Sequence, residues 1–219
     1  MRLATKISRS RSVLCLLLIS LLALSGCAGF TAQMLYVLNG QKVDAAFEGL
    51  VDKRVAVVCV SSSQAYGPTS APEAIASEVG KLLSREVDGI EVIHQNEIVD
   101  WIDKNDWDQI NYKDVGRGVE AEMLVAIDLG LFTAVEGRLL YRGQANFSVK
   151  VFDMSEGGVL VYESGNPEFK FPRGGQHATG ISESRFRRIF AKVLAQEIAR
   201  DFYPYEFDSD IAINATLTE

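Results

Sequence analysis

The chain has 219 residues, with 22 Lys and Arg against 29 Asp and Glu and a formal net charge of −7. That balance argues against nucleic acid or an anionic lipid surface as a partner held by charge. Three cysteines are too few for a disulfide framework in a chain of this length.

The amino terminus sets the address. Arg2, Lys6, Arg9 and Arg11 precede an unbroken run of apolar or small residues from Val13 to Leu24. At about 1.5 Å per helical residue this run spans roughly 18 Å, short of the ~30 Å core of a bilayer. It is therefore expected to be a removable secretory signal rather than a membrane span. Leu24-Ser25-Gly26-Cys27 then has the lipobox pattern: a branched apolar residue, two small residues that fit a peptidase cleft, and a thiol that takes the lipid. Cleavage before Cys27 and lipidation of Cys27 are expected, the alternative being ordinary cleavage near Ala28 with Cys27 left free. Acyl chains contribute about 0.8 kcal/mol per buried methylene, and more than one chain makes attachment stable. Alanine rather than aspartate at position 28 favours the periplasmic face of an outer membrane.

Removal of residues 1–26, with four basic and no acidic side chains, takes the net charge from −7 to about −11 and leaves 193 residues. One domain plus a tether accounts for that length. Cys15 leaves with the signal and Cys27 takes lipid, so Cys59 has no intramolecular partner.

Residues 27–52 form a tether and lead-in, with a strand expected late if at all. Val55 to Val60 is apolar at every position, as expected of a central strand covered on both faces, with Cys59 as core. Ser70 is an N-cap, with Pro72 in the first turn and Glu73 at the capping-box position. Ile75, Val79, Leu82, Leu83 and Val87 follow at helical spacing, and Asp88-Gly89 ends the helix. A second strand over 90–94 completes a βαβ unit, with parallel strands and a right-handed crossover. Two short helical pieces follow. One opens at Asn96 with Ile98, Val99 and Ile102 inward; the other lies around Asp114 to Arg117 and closes at Gly118.

Strands are expected over 123–132, over 145–152, where Ala145, Phe147, Val149 and Val151 alternate with polar residues, and over 159–164 after the turn Ser155-Glu156-Gly157-Gly158. A Gly- and Pro-rich loop (165–180) leads to a last helix from Ser182. Its apolar stripe is Phe186, Ile189, Phe190, Val193, Leu194, Ile198 and Phe202, with Arg185, Arg187, Arg188 and Lys192 outward. The fold class is thus α/β (α+β): a single mixed sheet with an initial βαβ unit, a three-strand antiparallel meander and a C-terminal packing helix. The domain is expected over 53–202, followed by a tail, 203–219.

This order of elements behind a lipobox resembles the lipoproteins that activate penicillin-binding proteins and the curli-secretion lipoprotein, whose domains look like the amino-terminal domain of TolB. The likeness is carried by Lys53-Arg54-Val55-Ala56-Val57-Val58, Val92-Ile93, Ala121-Glu122-Met123-Leu124-Val125, and Val151-Phe152-Asp153 with Gly157-Gly158. It departs at His94-Gln95, where these families often carry arginine. Nor is there room for the added hairpins of the pore-forming relatives. The resemblance implies an envelope interaction module and argues against a pore.

No catalytic set, cofactor or metal site is expected. His94 and His177 are not at metal-ligand spacing, and Ser61, Ser62 and Ser63 lack the Gly-x-Ser-x-Gly elbow. Gly116-Arg117-Gly118-Val119-Glu120-Ala121 matches a dinucleotide fingerprint in letters, but a helix precedes it and a strand follows, the reverse of what phosphate binding needs. Asp100, Asp103, Asp106 and Asp108 lack the glycine and closing glutamate of a calcium loop. Trp101 and Trp107 are expected to pack. A pocket, if present, belongs at the loop Ser61 to Thr69, beyond the carboxyl ends of the parallel strands, so Ser61, Ser62, Ser63, Tyr66 and Thr69 are the candidate ligand or partner residues.

The functional expectation is a non-enzymatic module, held at a membrane through Cys27, that scaffolds or regulates an envelope protein complex and binds no nucleic acid. A subunit of a multimeric secretion assembly, with homo-oligomers, is the alternative. A small-ligand binder or hydrolase using the Ser61–Thr69 loop with His94 or His177 is the third.

Overall fold

The structure, a computed structural model, describes residues 42–61, 70–105, 111–134, 141–172 and 182–206. The strands are β1 (Lys42–Val43), β2 (Arg54–Ser61), β3 (Glu91–Val92), β4 (Met123–Thr133), β5 (Gly143–Asp153), β6 (Val159–Phe171) and β7 (Tyr205–Glu206). The helices are α1 (Ala71–Glu86), α2 (Gln95–Lys104), α3 (Tyr112–Gly118) and α4 (Glu183–Ala199). β2 to β6 form one sheet in the order β3-β2-β4-β5-β6, while β1 and β7 lie outside it. β2 is parallel to both β3 and β4, and β4, β5 and β6 run antiparallel to one another. This is the mixed sheet with βαβ unit and meander that the hydrophobic periods predict.

Local signals explain the helix starts. Ser70 accepts a hydrogen bond from the Glu73 amide (3.3 Å) and Ser182 one from the Arg185 amide (3.3 Å), each satisfying an otherwise orphaned donor. Both caps are the ones the sequence marks. Alternation along the strands then sorts side chains onto two faces. Val55, Val57, Cys59, Val125, Ile127, Val149 and Val151 face α1 and α4 in the larger core. Ala56, Val58, Val60 and Leu124 face α2 and α3, meeting Ile98, Ile102, Val115 and Val119. β2 is buried on both faces, as its unbroken apolar run requires.

The larger core centres on a stack of phenylalanines. Phe190 lies 4.9 Å from Phe132, 6.2 Å from Phe169 and 6.3 Å from Phe186 between ring centroids, all near-parallel. Full burial of each such ring contributes about 1.5–3 kcal/mol. Phe186 and Phe190 come from the apolar stripe of α4, and Arg185, Arg187, Arg188 and Lys192 point outward as expected. The lead-in and the chain after α4 also reach this core: Leu50 is fully buried, Phe47 packs 5.1 Å from Tyr162, and Tyr203 is buried.

Three expectations are corrected. The second strand has two residues rather than five, because the chain turns at Ile93 and His94 to start α2; only the Ile93 amide still reaches back, to the Val55 carbonyl (2.9 Å). α2 buries Ile98 and Ile102 but leaves Val99 half-exposed. The last strand does not end at Ser164 but continues to Phe171, through residues read as loop. β6 is an edge strand with a neighbour on one side only, so Pro167 can lack an N–H without breaking a ladder there. Gly165 fits the close approach of β5, since a Cβ on it would lie 2.7 Å from the Phe147 carbonyl oxygen.

Candidate functional site

Of the residues singled out from sequence, Ser61 ends β2 opposite Leu129 of β4. Leu24, Ser25, Gly26, Cys27, Ser62, Ser63, Tyr66 and Thr69 lie outside the described residues, as do Trp107, Asp106, Asp108 and His177. His94 is exposed at the N-cap of α2. Trp101 packs against the smaller core, across Gly118. The fingerprint-like Gly116–Ala121 segment follows the reversed order expected, with α3 before it and β4 after it. Among the described residues no group of three His, Cys, Asp or Glu could hold a metal ion. No helix among them is long and apolar enough to cross a membrane.

The residues that carry the family resemblance converge at one end of the sheet. Arg54, at the start of β2, bonds the Glu120 carbonyl (3.0 Å) and pairs with Glu91 of β3 (3.3 Å) and Glu97 of α2 (3.4 Å). Glu122 accepts hydrogen bonds from the Arg54 amide (3.0 Å) and from Lys53 (3.3 Å). These contacts hold the Glu122 carboxyl below the usual carboxylate range, the Arg54 amide contributing most. Asp153 accepts from the side chain and the amide of Ser155, which lowers its pKa and fixes the turn into β6. Gly157 and Gly158, at φ +77° and +83°, take backbone conformations in that turn that only glycine adopts freely. These contacts are architectural: they tie β2, β3, α2, β4 and the β5–β6 turn together.

Three surface features remain. The first is β6 itself, thirteen residues long and, among the described residues, unpaired on its outer side, where Val159, Leu160 and Val161 are 48%, 44% and 42% exposed in succession. By sequence pattern this stretch is an ordinary meander strand. Three consecutive apolar residues after a double-glycine turn, where one wet face calls for alternation, are the signal that could have marked it.

The second is a polar cluster on the sheet face that carries α2 and α3, beyond the cover of α3. Asp128, in the middle of β4, accepts hydrogen bonds from the Tyr112 hydroxyl, Lys150 (3.2 Å) and the Ser148 hydroxyl (3.4 Å). Burial above all, then the bond to Asp128 and its charge, push the Tyr112 phenol far above its ordinary value. Cys59, fully buried on the opposite face of β2, is also raised well above a free thiol, by burial first and Asp128 second. An unreactive thiol and a locked phenol suit a rigid scaffold. The lone aspartate in Val125-Ala126-Ile127-Asp128-Leu129 was the available signal.

The third is a cleft of about 460 Å³ between α1 and the junction of β3 with α2, floored by Val57 and Val92 and rimmed by Lys81, Arg85 and His94. It lies on the α1 flank at the carboxyl end of β3, while the loop expected to hold a pocket falls, after Ser61, outside the described residues.

No family model matches the chain, and no curated protein matches it. Among solved structures the fold is similar to several bacterial proteins, some of them described as lipoproteins. Lipoprotein GNA1162 from Neisseria meningitidis is 10% identical over 66% of this chain and 97% of its own, with a TM-score of 0.42. The PelC dodecamer from Paraburkholderia phytofirmans is 13% identical over 74% and 96%, with a TM-score of 0.43. The LpoB C-terminal domain from Salmonella enterica is 10% identical over 62% and 89%, with a TM-score of 0.34. Likeness at this distance is one of general architecture and assigns neither partner nor site.

Proposed function

We propose that this chain is an envelope lipoprotein, fastened by lipid on Cys27 to the periplasmic face of an outer membrane, whose α/β domain works by binding another protein and not by catalysis. Attachment follows from the lipobox Leu24-Ser25-Gly26-Cys27 placed directly after the apolar signal run. In the folded domain the carrying observation is β6. A long edge strand presents a row of backbone donors and acceptors to any extended segment that approaches it, and soluble proteins normally blunt such edges with charge or proline. Glu163, Pro167 and Glu168 do so along the rest of the strand, while Val159, Leu160 and Val161 leave its start apolar and open.

The test is site-specific photocrosslinking in cells that process the lipidated protein, with the photoreactive residue at Leu160 and, as control, at Arg187 on the exposed face of α4. A discrete adduct from position 160 and none from 187 is the expected result. Equal adducts from both, or none from 160, reject the reading.

The same edge also admits a second copy of this chain, which is how a subunit of a larger assembly would use it. An adduct of the chain with itself, accompanied by high-mass species in mild detergent, identifies that case. A strictly monomeric product removes it.

A further inference from the structure

We propose that the cleft between α1 and the β3–α2 junction is a binding site for a small organic anion, a carboxylate or phosphate ester that carries an apolar group. The site is independent of the β6 edge, since β3 and β6 are opposite edges of the sheet.

The cavity has a structural cause. α1 runs 16 residues along the sheet, about 24 Å at the helical rise. β3 stops after two residues, pairing only Arg54 with Glu91 and Val55 with Val92. Beyond Val92 no strand among the described residues lies between the edge of β2 and the outer flank of α1. Gly80 of α1 lines that gap without a side chain, and a Cβ there would sit 3.2 Å from a Val92 methyl. The remaining space of about 460 Å³ falls within the range of small-molecule sites.

Its lining selects the ligand. The floor is apolar, from Val57, Ala76, Val92 and Ile93. The rim carries Lys81, Arg85 and His94 with the neutral donors Ser77, Ser84 and Asn96. Among the described residues no carboxylate lines the cleft, in a chain with 29 acidic residues. Ser77, Lys81, Ser84 and Arg85 recur at three- and four-residue intervals, which places them on one flank of α1. Lys81 and Arg85 now pair with Glu78 (3.5 Å) and Glu86 (2.6 Å). Both cations are about 70% exposed, at 70% and 68%, and exposed pairs of this kind contribute only ~0–1 kcal/mol. Turning them toward a bound oxyanion gives up little, and a charge-assisted bond to it is stronger than a neutral one.

The experiment is calorimetric titration of the full lipidated protein in non-ionic detergent with three probes: phenyl phosphate, inorganic phosphate and benzyl alcohol. Phenyl phosphate is expected to saturate with a Kd of about 0.1–1 mM, inorganic phosphate to bind more weakly, and the neutral alcohol not to saturate. The double variant Lys81→Gln/Arg85→Gln is expected to weaken phenyl phosphate at least ~10-fold, and Ser84→Trp, which blocks the rim with both charges kept, to do the same. Arg187→Gln/Arg188→Gln on α4 leaves the Kd unchanged. Circular dichroism checks the fold of each variant. Absence of saturation, saturation by benzyl alcohol alone, or a Kd that neither the charge nor the blocking variant moves overturns the proposal.

Discussion

The hydroxyl of Tyr112, the first residue of α3, donates a hydrogen bond to the carboxylate of Asp128 at the middle of the central strand β4. Stacking of Tyr112 on Phe152, 6.2 Å between centroids, holds the ring over the sheet, and this pair marks where the second helical layer stops. Replacement Tyr112→Phe keeps the ring and removes the bond. Asp128 retains Lys150 and Ser148, so the loss is expected to be about 1–2 kcal/mol in urea unfolding.

The same pair sets an alkaline limit. The folded phenol is raised, so it holds its proton where the unfolded tyrosine, with a pKa of about 10, releases it. The stabilisation is complete below about pH 10 and declines as the pH rises toward the folded value. Tyr112→Phe should flatten that decline when urea midpoints are followed from about pH 9 to 11.

Thiol counting reads the anchor and the core together. On the proposed processing Cys15 leaves with the signal and a lipidated Cys27 presents no thiol, while Cys59 is fully buried with its pKa driven upward by burial. The mature protein should therefore react with no thiol reagent when native and with one equivalent when denatured. A native equivalent, together with membrane binding that survives Cys27→Ser, contradicts lipid attachment.

Gly143 opens β5 against the phenylalanine stack, and a Cβ on it would meet the Phe190 ring at 2.3 Å. Phe190 is fully buried among other rings and has nowhere to move. Gly143→Ala is expected to cost about 1–3 kcal/mol through overpacking. Gly157→Ala, with open space around it but φ at +77°, should cost about 1–2 kcal/mol through the backbone alone. The two should be additive in thermal unfolding, as they sit in unconnected parts of the fold.

Asp201 gives a pH dependence of opposite origin to most carboxylates. Burial raises its pKa, against the hydrogen bonds from Ser164 and Tyr162 that lower it. A raised acid favours the folded state while protonated, so its contribution is full below the unfolded value near 3.9 and is lost as the pH rises through the folded value. Asp201→Asn still accepts from Ser164 and cannot titrate. The wild type should thus lose stability relative to this variant as the pH rises above about 4, measured by urea midpoints. An unchanged difference would show that Asp201 is not desolvated.

Much of the scaffold was legible because its signals are local. Ser70 and Ser182 cap helices by bonding amides three residues on, and the stripe Ile75, Val79, Leu82, Leu83 needs only the helical period to point at a core. β6 shows where such reading ends. Gly165 and Pro167 are breakers by composition, and only an edge position, decided by the sheet order, makes them tolerable within a strand. The Asp128 cluster was missed for the same reason. Tyr112, Ser148 and Lys150 lie up to 38 positions apart in sequence, and nothing before folding says that they meet.

By itself, then, the sequence determined the kind and order of the elements and which face of each is apolar, since spacing along one chain suffices for both. Tertiary structure alone decided that β6 lies bare at one edge and that β3 stops short at the other, opening a cleft with a cationic rim in an acidic protein. Those features depend on which strand neighbours which and how far each ladder extends. That outcome belongs to packing between distant segments, where burial of the whole core overrides the preference of any one stretch.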